Sequence, residues 1–139
     1  MIRKESIRCI RQKIRNIRLI ATMRHRVKGK KFHRITGRRK SFLRNLTNDL
    51  IRAEKIETTE ARAKALRPIV ERCITIAKRQ TLAGRRILIS RLQNMKMVGK
   101  LMEDISPRYA ARSGGYTRIT KLGKSRKRDG SSIATIEFV

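Results

Sequence analysis

Residues 24–44 read RHRVKGKKFHRITGRRKSFLR, a run dense in Lys and Arg without one acid to neutralise them. Like charges so closely spaced repel one another. Such a run is extended in isolation and orders only when anions lie along it. The rest of the chain shares the bias: 38 Lys plus Arg stand against 10 Asp plus Glu in 139 residues, a formal net charge of +28. Nucleic acid or an anionic membrane surface would answer that charge, and charge by itself does not choose between them. No stretch approaches the roughly 18 consecutive apolar residues of a membrane span, which excludes a spanning role.

The chain also holds enough apolar residues for a core, 39 % of the total, many of them at helical spacing. Its length suits one domain. From near Thr36 or Gly37, Phe42, Leu43, Leu46, Leu50 and Ile51 fall on one helical face, with Thr36 or Ser41 available as a cap. KIETT at 55–59 predicts a short strand, after which the Thr58 and Thr59 hydroxyls cap a second helix. That helix carries the strongest apolar stripe, Leu66, Ile69, Val70, Cys73, Ile74 and Ala77, with Pro68 expected to kink it or to mark its first turn. Shorter helical patterns follow at 82–92 and 97–105, the second stopped by Ser106 and Pro107.

Gly114 and Gly115 then supply a turn, and segments 116–122 and 132–139 form an antiparallel hairpin around the basic loop GKSRKRDG. The expected fold class is α/β (α+β): a small three-stranded mixed sheet packed against about four helices, with an extended basic N-terminal arm. The chain divides into an extension at 1–22, the arm at 23–40 and a globular domain at 41–139. In the extension Ile7, Ile10, Ile14 and Ile17 recur among basic residues. Three readings compete for it: an organellar presequence, an extra helix touching RNA or membrane, and a misassigned start, and sequence physics leaves all three open.

Catalysis needs a placed nucleophile, base or metal, and nothing convergent is visible. Glu54, Glu57 and Glu60 are surrounded by Lys55, Arg62 and Lys64, which reads as local ion pairing. Cys9, Cys73, His25 and His33 are too few and too scattered for a zinc site. Cys73 reads as a small buried hydrophobe in a chain without a disulfide framework. The expectation is a protein that is no enzyme and has no cofactor, metal or small-molecule substrate.

Cationic surface interleaved with a few flat rings remains. Candidate RNA contacts are Arg24, His25, Arg26, Lys28, Lys30, Lys31, His33, Arg34, Arg38, Arg39 and Lys40 in the arm, with Arg44 beyond it. Further along they are Arg108, Tyr109, Arg112, Tyr116, Arg118, Lys121, Lys124, Arg126, Lys127 and Arg128. Phosphate answers the cations, and unpaired bases stack on His and Tyr rings. For the tyrosines, packing at the sheet edge is an equal alternative. A free nucleic-acid-binding regulator is the competing function class, but helix-turn-helix, zinc-finger and basic-zipper patterns are missing from the sequence. A membrane-surface protein anchored by residues 1–22 comes third.

From position 23 onward the chain resembles the bacterial-type large-subunit ribosomal protein seventeen family. The resemblance rests on MRHRVKGKKFHR at 23–34, LRNL at 43–46, KIETTEARAKALRP at 55–68, RSGGYTRITKLG at 112–123 and the closing IEFV. It implies a structural constituent of the large ribosomal subunit, bound to large-subunit ribosomal RNA near the rim of the peptide exit tunnel. The implied partners are that RNA and neighbouring large-subunit proteins. The implied location is a cytoplasmic ribosome, or an organellar one if residues 1–22 are a presequence. By the same resemblance the RNA-threading arm maps onto 24–40 and the glycine-tyrosine segment onto 114–118, and the family's usual start coincides with Met23, which makes a misassigned start the leading reading of residues 1–22.

Overall fold

The first helix, α1 (Thr36–Ala53), begins where the sequence pattern places it, in a computed structural model that describes residues 29–139. The expectations for residues 1–22 and for Arg24, His25, Arg26 and Lys28 lie outside the described residues. Neither expected hydroxyl caps α1: Ile35 occupies the cap position and makes no side-chain hydrogen bond. Residues 36–44 of the acid-free run are therefore helical, because Leu46, Leu50 and Ile51 bring that end of the chain down onto the core.

Helix α1 ends at Glu54, which adopts left-handed geometry with φ 61° and donates its backbone N–H to the Leu50 carbonyl. The reversal feeds directly into β1 (Lys55–Thr59). For a residue with a Cβ, this conformation costs about 1–2 kcal/mol. The Glu54 side chain offsets part of that cost by receiving Lys100 Nζ at 2.9 Å and Arg108 Nη1 at 2.8 Å, which ties the corner to a later helix. Hydrogen bonds from Arg108 and then Lys100 hold the Glu54 carboxyl below its ordinary range.

A carboxylate with a depressed folded-state pKa contributes stability that is present above its unfolded pKa and is lost as pH falls through the folded one. Glu54→Gln should therefore lower the thermal midpoint near neutrality. The gap to the parent should shrink below about pH 4.3, the ordinary glutamate value. The gap will be modest, since the Glu54 side chain is 35 % exposed and solvent screens it. A midpoint difference that stays constant from neutral to strongly acidic pH in calorimetry would count against the ion-paired corner.

Helix α2 (Glu60–Ala77) buries Ala63, Leu66, Val70, Cys73, Ile74 and Ala77, the expected stripe. Thr59 stands at its cap position, but the hydroxyl makes no capping bond. Pro68 is exposed inside the helix, on the side away from the core. Helix α3 (Leu82–Leu92) is capped by Thr81, whose Oγ1 accepts from the Gly84 N–H. In α4 (Met95–Lys100), the Asn94 Oδ1 accepts from the Met97 N–H.

Ser106 and Pro107 do not stop the last helix as expected. The chain widens into a π-helical turn over Leu101–Ile105 and closes with a short helix, α5 (Ser106–Arg108), in which Ser106 keeps right-handed helical geometry. Hydrogen bonding accounts for this. The Ser106 N–H reaches back five residues to the Leu101 carbonyl, so the Met102 carbonyl loses its usual donor. The next residue is Pro107, which has no N–H to offer. Gln80, from the connection after α2, fills the gap: its Nε2 donates to the Met102 carbonyl at 2.7 Å and to Ser106 Oγ at 3.1 Å.

The hairpin strands are β2 (Thr117–Ser125) and β3 (Ser132–Phe138), and the sheet order is β1-β3-β2. The α+β class and the three strands stand as expected. One detail is corrected: both ladders are antiparallel, where a mixed sheet was expected. The reason is topological, since β3 is the centre strand and runs against both neighbours. Ile56 and Ile119 pair with Ile136 from either side, so β-branched side chains line one row of the sheet's inner face. Ile136, Leu66, Val70, Ile74, Leu88, Leu101 and Ile105 are fully buried in one core between sheet and helices. Among the described residues, no helix is long and apolar enough to cross a membrane.

Candidate nucleic-acid interface

The arm does not simply trail away from the domain. Phe32 and His33 take consecutive left-handed conformations, at φ 54° and 50°, and the Arg34 N–H closes the turn on the Lys31 carbonyl at 3.1 Å. This reversal folds the arm back over the start of α1. The Phe32 ring meets Phe42 edge-on at 5.9 Å, and the Arg34 guanidinium lies 4.3 Å from the Phe42 ring centre. A second guanidinium, that of Arg62 on α2, lies 5.3 Å from the same ring. Two cations on one aromatic ring gain cation–π attraction while repelling each other, an arrangement that favours a nearby anion.

Around this clasp opens a groove of about 950 Å³. Lys30, Lys31, His33 and Arg34 line it from the arm, Phe42 from α1, Thr59 from β1 and Arg62 from α2. The β2–β3 connection closes it with Arg126, Asp129 and Ser131. Its charged lining residues are all cationic except Asp129, whose Oδ2 sits 3.6 Å from Arg126 Nη1. The Ser131 backbone N–H donates to the Asp129 carboxylate and, as its largest influence, keeps that carboxyl below the ordinary range. The Asp129 carboxylate is thus engaged by its own loop, through the Ser131 N–H and Arg126.

The acids elsewhere are mostly spent on cations. Lys64 and Lys121 both bind Glu60, Arg67 binds Glu71, Lys55 binds Glu137, and Arg108 bridges Glu54 and Asp104. By contrast Lys30, Lys31, Arg34, Arg38, Arg39, Lys40, Arg44, Arg112, Arg118, Lys124, Lys127 and Arg128 have no acidic partner among the described residues. Uncompensated charge thus lies along the arm, the first half of α1 and the hairpin tip, and also on α2 to α4, where Arg62, Arg72, Arg85, Arg86, Arg91 and Lys96 likewise have no acidic partner among the described residues.

The structure thus brings Lys30, Lys31, His33, Arg34 and Arg126 to one groove, while Arg38, Arg39, Arg112, Arg118, Lys121, Lys124, Lys127 and Arg128 are not among its lining residues. Lys40 and Arg44 line a different depression of the molecule. Arg108 has its charge compensated within the domain. Tyr109 and Tyr116 are 4 % and 2 % exposed and pack edge-on at 5.3 Å, so the geometry matches their packing alternative. The Tyr116 hydroxyl donates to backbone carbonyls at Arg112 and Ser113, and Lys78 Nζ lies 5.5 Å from its ring.

Two groove residues were misplaced by sequence reasoning. Phe42 was assigned to the core and Arg62 to a local ion pair; in the structure they hold each other. As the third residue of a helix, Arg62 gives no local sign of a ring twenty positions earlier in the chain, that of Phe42. Glu54 pairs with Lys100 and Arg108 and so is not locally paired either. Cys73 is 1 % exposed, and burial pushes its thiol up, consistent with an inert hydrophobe.

A family model described as "Ribosomal protein L17" matches residues 42–139. Curated relatives carry the name "Large ribosomal subunit protein bL17". One from Persephonella marina is 52 % identical over 118 residues, covering 84 % of this chain and 95 % of the relative. Another, from a Hydrogenobaculum species, is 49 % identical and covers 84 % and 99 %. A third, from Orientia tsutsugamushi, is 50 % identical and covers 84 % and 80 %.

Proposed function

We propose, from the premise that this chain belongs to the ribosomal protein L17 family, that it is a structural, non-catalytic constituent of the large ribosomal subunit. It binds large-subunit ribosomal RNA through the groove between the arm, α1, α2 and the β2–β3 tip. The observation that carries this reading is the convergence of Lys30, Lys31, Arg34, Arg62 and Arg126 on one concave surface while most acids are neutralised elsewhere. Phosphate oxygens supply the missing negative charge. The groove admits a backbone segment, and the planar guanidinium of Arg34, braced on Phe42, offers a fork suited to two phosphate oxygens. Its proposed position, supported by the resemblance to the family, is near the exit tunnel and beside neighbouring large-subunit proteins.

Binding of this kind is driven largely by counterion release, with a logarithmic slope of about 0.7–0.9 for each phosphate neutralised. A protein engaging about 6–10 phosphates loses roughly 10³ to 10⁵ in affinity between 50 and 200 mM salt, and at least that steepness is expected here. The measurement is a salt titration of the full chain against protein-free large-subunit RNA. A nearly flat slope refutes the reading.

A further inference from the structure

A second depression, of about 490 Å³, lies between α1, α2 and α3. Lys40 and Arg44 from α1, Arg72 from α2 and Arg91 from α3 contribute cations to its lining, which contains no acid. None of the four has an acidic partner among the described residues; Arg44 Nη2 reaches only Ser41 Oγ, at 3.3 Å. Between the cations Leu43 and Ile69 offer half-buried apolar surface. Three sequence-distant helices thus combine positive charge with a small greasy floor.

We infer that this depression is a second RNA-contact site, which takes one unpaired nucleotide with its phosphate on the arginines and its base against Leu43 and Ile69. The inference rests on the ribosomal reading above and extends it to a separate face. Charge complementarity calls for a polyanion, and three of the four cations are arginines, whose planar fork suits phosphate better than a lysine ammonium does. The floor is small, which suits one flat base better than the row of side chains an acidic peptide would bring. Continuity favours the same strand: Phe42 lines the first groove and Leu43 the second, so a backbone crossing α1 meets both.

The test is binding of full-chain variants to protein-free large-subunit RNA across a salt series. Arg72→Gln with Arg91→Gln should weaken binding about tenfold to a hundredfold and flatten the logarithmic salt slope by about 1.4–1.8. Both side chains are exposed, so the thermal midpoint should hold. Ile69→Ala should weaken binding severalfold with the slope unchanged, because an apolar contact releases no counterions. A parallel variant, Lys30→Gln with Lys31→Gln and Arg34→Gln, probes the first groove. If that variant weakens while Arg72→Gln with Arg91→Gln binds like the parent, the second site is refuted and the ribosomal reading stands. If neither weakens, both fall. If the arginine pair binds naked RNA normally yet fails to enter subunits reconstituted with the other proteins, the RNA site is refuted and an acidic protein neighbour takes its place.

Discussion

Replacing Lys30, Lys31, Arg34 and Arg126 together with glutamine is expected to lower affinity for large-subunit RNA by about 10³-fold and to flatten the logarithmic salt slope by roughly three units. The four positions come from two sequence-distant segments that meet only in the folded groove. Removing both sides at once prevents one from substituting for the other. Stability should fall only slightly, by about 0.5–1 kcal/mol for the exposed contact of Arg34 with the Phe42 ring, since Lys30, Lys31 and Arg34 have no acidic partner among the described residues and Arg126 has only its exposed contact with Asp129. The variant should therefore unfold near the parent's temperature and yet be missing from large subunits in sedimentation of cell extracts. Normal incorporation would remove the groove from the RNA interface.

The opposite separation is expected in the core. Ile136 is fully buried at the centre of the sheet, paired with Ile56 on one side and Ile119 on the other. Ile136→Ala removes atoms from a closely packed row whose neighbours are held by two ladders and can relax only partly. A loss of about 2–5 kcal/mol is expected in denaturant unfolding. In a domain whose whole stability is of order 5–15 kcal/mol, that is a large share. Where the variant is still folded, its RNA affinity and salt slope should match the parent's, because no groove residue is touched. A cost below about 1 kcal/mol would mean that the sheet's inner face is less tightly packed than its burial implies.

Local pattern made much of this architecture legible. The α2 stripe from Leu66 to Ala77 needs only helical periodicity to be seen, and KIETT only β-branched residues between two helical patterns. The cap at Glu54 was not legible. A glutamate in left-handed geometry has no local signature, and its support comes from Lys100 and Arg108 about fifty residues later. Nor was the π-helical turn, where a local rule about residues before proline gave way because Gln80 supplied a donor from another connection. The tyrosines show the same limit: composition left stacking and packing equal, and the fold buries the two rings edge-on against each other, a contact with no local signature.

By itself the sequence determined the charge imbalance, the acid-free arm, the apolar stripes and so the kind of partner this protein needs. These properties are carried by residue identity and by spacings of a few positions, and no fold is required to read them. Tertiary structure alone decided which cations stay unpaired and which of them share a surface. It paired Arg108 with Glu54 and Asp104, set Arg62 on Phe42, and brought Arg126 across to the arm. Charge pairing and groove lining are distances between side chains far apart in the chain, and only the packing of helices against the sheet fixes those distances.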